Sequence, residues 1–268
     1  MVLLRTSIFA GLLLLPHLAV AQPDPFPQVA TAYLVRVDDK LIWERQVNKK
    51  LAPASLTKLA MALLLLEDYQ PKQVVEISRA AAAETGMRLG VKPGQRFYQE
   101  DLLAAALISS DNDACHALAE MKAGTQARFV DAMNRRVRQM GMLDTHFSNA
   151  CGHDAADHYS TVHDLALLAE EVLKHPELTR VVSRTDARIS TVDGNNSYQL
   201  HTRNALLGRY RGALGLKTGY TPKAGKCLIA YAERDGTRVL LVMLHGNDRW
   251  WDAADILDIA FAQAPQGN

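Results

Sequence analysis

PASLTKLAMALLLLED, residues 53–68, opens with a proline and is otherwise built almost entirely of Leu, Ala and Met up to its acidic end. Ser55 and Lys58 are its only strongly chemical side chains before that end. Proline is favoured at the opening of a helix, and a helix that is apolar all round is a buried one. Burying a lysine in such a helix is costly. One reading lets Lys58 sit near the helix end and snorkel to solvent. The other holds its amine against Ser55, because side chains at i and i+3 share a helical face. A serine hydroxyl is a poor nucleophile until a base takes its proton, and lysine is such a base once burial or a neighbouring cation lowers its pKa. The S-x-x-K spacing alone is too common to choose between them.

The surrounding chain narrows the field. It has 268 residues, 48% hydrophobic and 22% charged, which is ordinary globular composition with room for one large domain or two modest ones. It has no internal repeat and no low-complexity tract. MVLLRTSIFAGLLLLPHLAVA (1–21) carries one basic residue, an apolar run and an A-x-A site, the pattern of a secretory signal cleaved after Ala21. The rival reading, a membrane anchor, needs about 20 apolar residues, and this run is broken by Pro16 and His17. No cysteine follows the run, which argues against a lipoprotein. The expected product is an exported, soluble periplasmic chain. The whole sequence has 30 Lys+Arg against 29 Asp+Glu, so losing Arg5 with the leader leaves the counts equal. A neutral chain with no basic block gives no case for nucleic acid or for an electrostatic membrane anchor. Cys115, Cys151 and Cys227 fit no zinc spacing, and an odd count leaves at least one thiol unpaired. The sequence admits one disulfide without assigning it.

Hydrophobic periodicity sketches the architecture. QPDPFPQ (22–28) reads as a mobile proline-rich lead-in. TAYLVRVDDKLIWERQV (31–47) reads as a hairpin around Asp38-Asp39. Residues 71–100 hold short strands and turns, and 99–124 two helices interrupted near Ser109–Asn112. In 125–142, Phe129, Met133, Val137 and Met140 fall on one helical face. Residues 160–175 form another helix, with Ser160 or Thr161 as its cap. The run 225–246 is a hairpin around Asp235-Gly236, and 249–263 is a last amphipathic helix. Strands at both ends pair most economically in one antiparallel sheet with helices packed on it. The middle of the chain, about 70–180, makes a mostly helical lobe, and the cleft between the two is the natural site.

Two further triplets accompany Ser55 and Lys58. Ser110-Asp111-Asn112 falls where a helical pattern breaks, and Lys217-Thr218-Gly219 falls before a strand. S-x-x-K, S-D-N and K-T-G in that order mark penicillin-binding proteins and class A β-lactamases. With PASLTKL, SSDNDACHALAE, HYSTVHDLALLA and LKTGYTPKAGKCLIAYAERDGTRVLLV in order, the chain resembles the low-molecular-mass penicillin-binding proteins. These are the serine D-alanyl-D-alanine carboxypeptidases and endopeptidases (peptidase S11). The resemblance runs from about Ala32 to Phe261. It implies an α/β (α+β) transpeptidase-like fold, with an antiparallel sheet flanked by helices plus a mostly helical subdomain. Residues 22–268 would then be a single catalytic domain with neither the C-terminal β-rich domain nor the membrane anchor of many members. That short form is more similar to the soluble endopeptidase branch.

The resemblance also implies roles. Ser55 would form an acyl-enzyme with the penultimate D-Ala of a peptidoglycan stem peptide, Lys58 would be the base, and Ser110 would relay a proton to the leaving D-Ala. Asn112 would hold the substrate amide. Lys217 would join Ser110 and Lys58 in one network, draw in the anionic substrate and, by its charge, help Lys58 lose its proton. Thr218 would bind the terminal carboxylate, Gly219 would be among the substrate-binding residues, and the strand following Lys217 would pair with the peptide. The backbone N–H groups of Ser55 and Tyr220 would form an oxyanion hole, with Arg249 as a carboxylate-binding arginine. β-Lactams would be covalent inhibitors, and no cofactor or metal is called for. Cys115 closely follows the S-D-N turn. Cys151 stands in NACGHDAADHYST, where the family does not lead one to expect it, so either a Cys115–Cys151 bridge braces that turn or the thiols are free. His153, Asp154, Asp157 and His158 in the same loop lack the spacing of a metal site and read as a polar loop. A β-lactamase would need a water-activating glutamate, for which EEVLK (170–174) is the nearest stretch. A non-catalytic wall-binding relative would have no need of Lys58 beside Ser55.

Overall fold

The computed structural model describes residues 24–263, so the leader at 1–21 lies outside the described residues. Strands β1 (Ala30–Val37) and β2 (Lys40–Arg45) are joined through Asp38 and Asp39, whose φ angles of 47° and 68° suit a tight two-residue turn. At the other end of the chain, β7 (Ala213–Thr221), β8 (Gly225–Arg234) and β9 (Thr237–Gly246) form a meander. β1 pairs antiparallel with β9, for example Tyr33 opposite Met243. The result is one five-stranded sheet in the order β2-β1-β9-β8-β7. The terminal strands therefore do pair, and β7 is left as an edge.

Period-two alternation sends the sheet's residues to two cores. Tyr33, Val35, Leu228, Ala230, Leu241 and Met243 pack under α8 (Arg249–Gln263) through Ala253, Ile256 and Leu257. Leu34, Ile229, Val242 and Leu244 belong to the other core, which also holds α1 (Thr57–Leu66). Both faces are covered, which is why β8 and β9 read as nearly continuous apolar runs. Every residue of α1 from Thr57 to Leu65 is buried, Lys58 included. Each fully buried leucine there contributes roughly 1.5–3 kcal/mol, so the helix and its lysine are held in place by the core.

The helical lobe follows. A two-stranded ribbon of β3 (Val74–Glu76) and β4 (Arg96–Tyr98) flanks α2 (Arg79–Ala82). Then come α3 (Gln99–Ala104), a π-turn over Ala105–Ser109, α4 (Asn112–Ala123) and α5 (Gln126–Gln139). Phe129, Met133 and Val137 are the buried stripe of α5, and Met140 ends it half-buried. Of the two candidate caps for α6 (Val162–Leu173), Thr161 accepts the Asp164 N–H at 3.1 Å, while Ser160 bonds Thr145 Oγ1 at 2.7 Å. α7 (Pro176–Val182) and a hairpin of β5 (Asp186–Ser190) and β6 (Ser197–His201) complete the chain.

Two expectations change. The Lys217-Thr218-Gly219 triplet lies inside β7 rather than before a strand, because Gly215 and Lys217 interrupt the apolar pattern without breaking the sheet. The lead-in, from Asp24 on, is tied down. Asp24 Oδ1 accepts the Phe26 N–H at 2.9 Å and the Tyr33 hydroxyl, and its Oδ2 accepts from Arg45 at 3.0 Å. Phe26 stacks edge-on against Trp43, 5.2 Å between centroids.

Candidate active site

Three elements deliver the three triplets to one place. Ser55 lies in a 3-10 turn (Ala54–Leu56) at the head of α1, after Ala54 at φ 49°. Ser110 ends the π-turn in the left-handed region, φ 69°, and α4 starts two residues later. Such non-glycine conformations cost roughly 1–3 kcal/mol and cluster at functional sites. Lys217 comes from the edge strand β7. Ser55 remains half-buried and open to the cleft, whereas Lys58 is fully buried and Lys217 almost so.

Lys58 Nζ is 3.1 Å from Ser55 Oγ and donates to Asn112 Oδ1 and the Cys151 carbonyl, both at 2.7 Å. Asn112 Nδ2 donates to the Thr85 carbonyl at 2.7 Å, which fixes Oδ1 as the end facing the lysine. A neutral amine has two N–H bonds and one lone pair. With two neighbours that are pure acceptors, both N–H bonds are directed to them, and the lone pair is left for Ser55 Oγ. Burial lowers the Lys58 pKa to about 7 against the opposing pull of the Asp111, Glu84 and Asp113 carboxylates. Burial is thus the main cause, and the repulsion between the two lysines falls on Lys217. Lys217 Nζ donates to Ser110 Oγ at 2.8 Å and to the Thr218 carbonyl at 3.1 Å. Its pKa is also pulled down, first by burial and then by Lys58. Asp111 is buried with its carboxylate on Ser109 Oγ at 2.6 Å, and burial raises it to about 6.

Gly219 explains why β7 can approach so closely. A Cβ there would stand 2.9 Å from the Pro53 carbonyl and 3.1 Å from Ser55 N. Only glycine lets the strand lie against the Ser55 turn, and Tyr220, its side chain exposed, follows it directly. Gly152 does the same from the opposite wall: at φ 92°, its Cβ would fall 2.1 Å from the Ala54 carbonyl. Thr218 is buried in β7 beside Lys217. Arg249 reaches β7 from the start of α8. Its Nη1 donates to the Gly219 carbonyl at 2.7 Å and the Cys227 carbonyl at 3.0 Å, clasping β7 to β8.

Of two further contributors, Asp113 was not singled out in the sequence and His158 was read there only as part of a polar loop. Asp113 gathers the N–H groups of Leu89, Gly90 and Val91 at 2.8–3.3 Å, anchoring the segment that faces Asn112. His158 accepts the Ser148 N–H on Nδ1 at 3.0 Å and meets Thr57 Oγ1 through Nε2 at 2.9 Å, behind the Ser55 turn. Burial lowers its pKa to about 4, which keeps the ring neutral. The other polar loop residues go elsewhere: His153 to Glu84 at 2.8 Å, and Asp154 to Thr221 at 2.7 Å. Cys115 and Cys151 form a disulfide. Cys227 is buried with its thiol pushed up to about 11, which makes it inert. Glu170 pairs with Arg36, and Glu171 with Arg136 and Lys174, so the glutamates of the β-lactamase-like stretch hold ion pairs on α6.

The sequence and the fold match known proteins. A family model described as D-alanyl-D-alanine carboxypeptidase matches residues 20–248, and the chain belongs to that family. It is 31% identical over 245 residues to the D-alanyl-D-alanine carboxypeptidase DacF of Bacillus subtilis, covering 88% of this chain but only 63% of that relative. The crystal structure of a D-alanyl-D-alanine carboxypeptidase from Mycobacterium tuberculosis superposes with a TM-score of 0.85 at 30% identity, over 92% of this chain and 96% of that one. Penicillin-binding protein D2 of Listeria monocytogenes, solved in an ampicillin-bound form, superposes at 0.77 with 30% identity, over 88% of this chain and 98% of that one.

Proposed function

We propose that this chain is a serine D-alanyl-D-alanine peptidase, a carboxypeptidase or endopeptidase that cuts peptidoglycan stem peptides through a Ser55 acyl-enzyme and is acylated by β-lactams. The observation that carries the reading is the placement of Lys58 Nζ, 3.1 Å from Ser55 Oγ and held by two carbonyl acceptors at 2.7 Å, which leaves the lone pair of the neutral amine for Ser55. As Ser55 Oγ attacks the carbonyl carbon of the penultimate D-Ala, Lys58 Nζ takes its proton. The N–H groups of Ser55 and Tyr220 hold the resulting oxyanion. The C–N bond then breaks as Ser110, its hydroxyl oriented by Lys217 at 2.8 Å, passes its proton to the departing amine and receives the one held by Lys58, which leaves Lys58 neutral again. A water, deprotonated by Lys58, hydrolyses the ester and frees Ser55. Asn112 offers its remaining N–H to the substrate amide. Thr218 and the cation of Lys217 receive the terminal carboxylate, whose charge repays the desolvation of that lysine. Arg249 supports this pocket by fixing the Gly219 carbonyl. The free edge of β7 is where an extended peptide adds as a further strand.

In this reading residues 22–268 act as one catalytic domain, exported and freed by cleavage after Ala21, without metal or cofactor. Among the described residues, no helix is long and apolar enough to cross a membrane. The test is intact-mass spectrometry of residues 22–268 mixed with a penicillin. The expected result is a lasting adduct of one drug molecule, missing in Ser55→Ala. An unmodified protein beside hydrolysed drug would make it a β-lactamase, and neither adduct nor hydrolysis would leave a wall-binding role. Chromatography of purified peptidoglycan after digestion then separates loss of terminal D-Ala from cutting of cross-links.

A further inference from the structure

The two carbonyls that orient Lys58 belong to separate pieces of chain. Asn112 opens α4, and Cys151 sits in the loop between α5 and α6. Cys115 is one turn along α4 from Asn112, on the same face, and it is the residue bonded to Cys151. Both half-cystines are buried. The loop's own shape is set from within, since the Asn149 carboxamide oxygen accepts the N–H groups of Cys151, Gly152 and His153 at 2.7–3.2 Å. That nest gives it a form but no position relative to α4. Toward α4 the disulfide is the covalent tie, and two polar links run beside it: Glu84 holds His116 of α4 at 2.5 Å and His153 of the loop at 2.8 Å, and Gln126 meets His116 at 3.1 Å and accepts the Ala150 N–H at 3.4 Å.

We infer that the Cys115–Cys151 disulfide is a positioning device for the base: it locks the Cys151 carbonyl to α4 so that both acceptors of Lys58 Nζ stay in register and the lone pair stays on Ser55. This rests on the reading of Lys58 as the base. The part played by Cys151 is its backbone oxygen, which a side-chain substitution leaves in place; what the sulfur supplies is the tether. Opening the bridge loosens the lid over an amine that is otherwise fully buried. Water then solvates the ammonium form, and the base is harder to deprotonate. The charged groups facing Lys58 are unchanged by this: Lys217 from β7, Asp111 and Asp113 beside Asn112, and Glu84 with its two histidines.

The experiment compares wild type, Cys115→Ala/Cys151→Ala and Lys58→Ala, each checked for cooperative unfolding. For each, the folded fraction is set by circular dichroism against its own unfolding curve, and kcat, KM and the pH midpoint of acylation are measured on a D-Ala-D-Ala peptide and a penicillin. The expected result for the double variant is a KM within about threefold of wild type, kcat at least about tenfold lower, and an acid midpoint displaced upward by half a unit or more. A bridge that serves stability alone lowers Tm and leaves kcat per folded molecule and the midpoint untouched, and that result overturns the inference. If the double variant does not fold, wild type reduced with a phosphine, which leaves two thiols and the phosphine oxide, carries the same measurements. Reoxidation by glutathione disulfide should then restore kcat. Failure of both forms to fold also overturns it, making the bridge a requirement of the fold. If Lys58→Ala is acylated as fast as wild type, it is the reading of the base that fails, whatever the cysteines do.

Discussion

The acylation rate should fall on the acid side with a midpoint near the Lys58 pKa. A lysine in water titrates at about 10.4, and burial in α1 brings Lys58 down to about 7. At about 1.36 kcal/mol per unit, the site disfavours the ammonium by roughly 5 kcal/mol. Half of the molecules then carry a neutral Lys58 at neutral pH, about one in ten at pH 6, and about one in a hundred at pH 5. Because only the neutral amine can take the Ser55 proton, the second-order rate of acylation by a penicillin should drop about tenfold per unit below the midpoint and level off above it. An exposed lysine would instead give a rate still climbing at pH 9. The assay is competition against a fluorescent penicillin between about pH 5 and 10, with circular dichroism at each pH to show the fold intact. A rate that stays flat from pH 7 down to 5 would refute the reasoning, since no neutral lysine would be required. A midpoint near 10 would refute the burial argument and keep the base.

The same shift has a stability signature. Between about pH 7 and 10.4 the unfolded chain binds a proton that folded Lys58 does not, so stability should rise with pH across that window and the penalty is fully present below it. Relative to Lys58→Met, wild type should gain about 1.4 kcal/mol per pH unit there, read from denaturant midpoints, and parallel curves would contradict it. Asn112→Asp places a carboxylate where Oδ1 now meets Lys58 at 2.7 Å. It should move the acid midpoint of acylation up by about 1–3 units, and an unmoved midpoint would show that residue 112 does not touch the base. Gly219→Ala forces β7 off the Ser55 turn, since its Cβ would stand 2.9 Å from the Pro53 carbonyl. A displacement near 1 Å at a reacting pair costs about a hundredfold, so acylation should collapse while Tm, read by calorimetry, falls little. Retained acylation would mean that β7 does not form the oxyanion pocket.

What could be read from the sequence was what is local. Asp38-Asp39 and Asp235-Gly236 announce their hairpins because a two-residue turn needs φ above zero at both positions, and the flanking runs have strand periodicity. The helix over 249–263 and the stripe Phe129, Met133, Val137 were legible for the same reason. The five residues of β5, the five of β6 and the seven of α7 are too short for periodicity to speak. β7 was misplaced because a lysine and glycines occupy its interior. The lead-in at Asp24 looked mobile because its anchors, Tyr33 and Arg45, lie on the hairpin that follows.

The site divides along the same line. Each triplet was visible because its spacing is local, and Ser55, Lys58, Ser110, Asn112 and Lys217 do converge. The reason they work together was hidden, because it depends on groups without side-chain identity or with distant partners. Lys58 is oriented by a main-chain oxygen 93 positions away, which any residue at Cys151 could supply. Gly152 and Gly219 matter by what they leave out. Local rules are broken where the chemistry sits: Ala54 and Ser110 hold left-handed backbone, and two lysines are buried near a buried aspartate. None of these would persist on local preference alone, so the surrounding core and the covalent tie at Cys115 must hold them. A sequence can show that a helix carries a lysine it would be better without. Only the folded chain shows that burial, the feature that makes the lysine costly, also brings its pKa down to about 7, where the proposed base for Ser55 needs it.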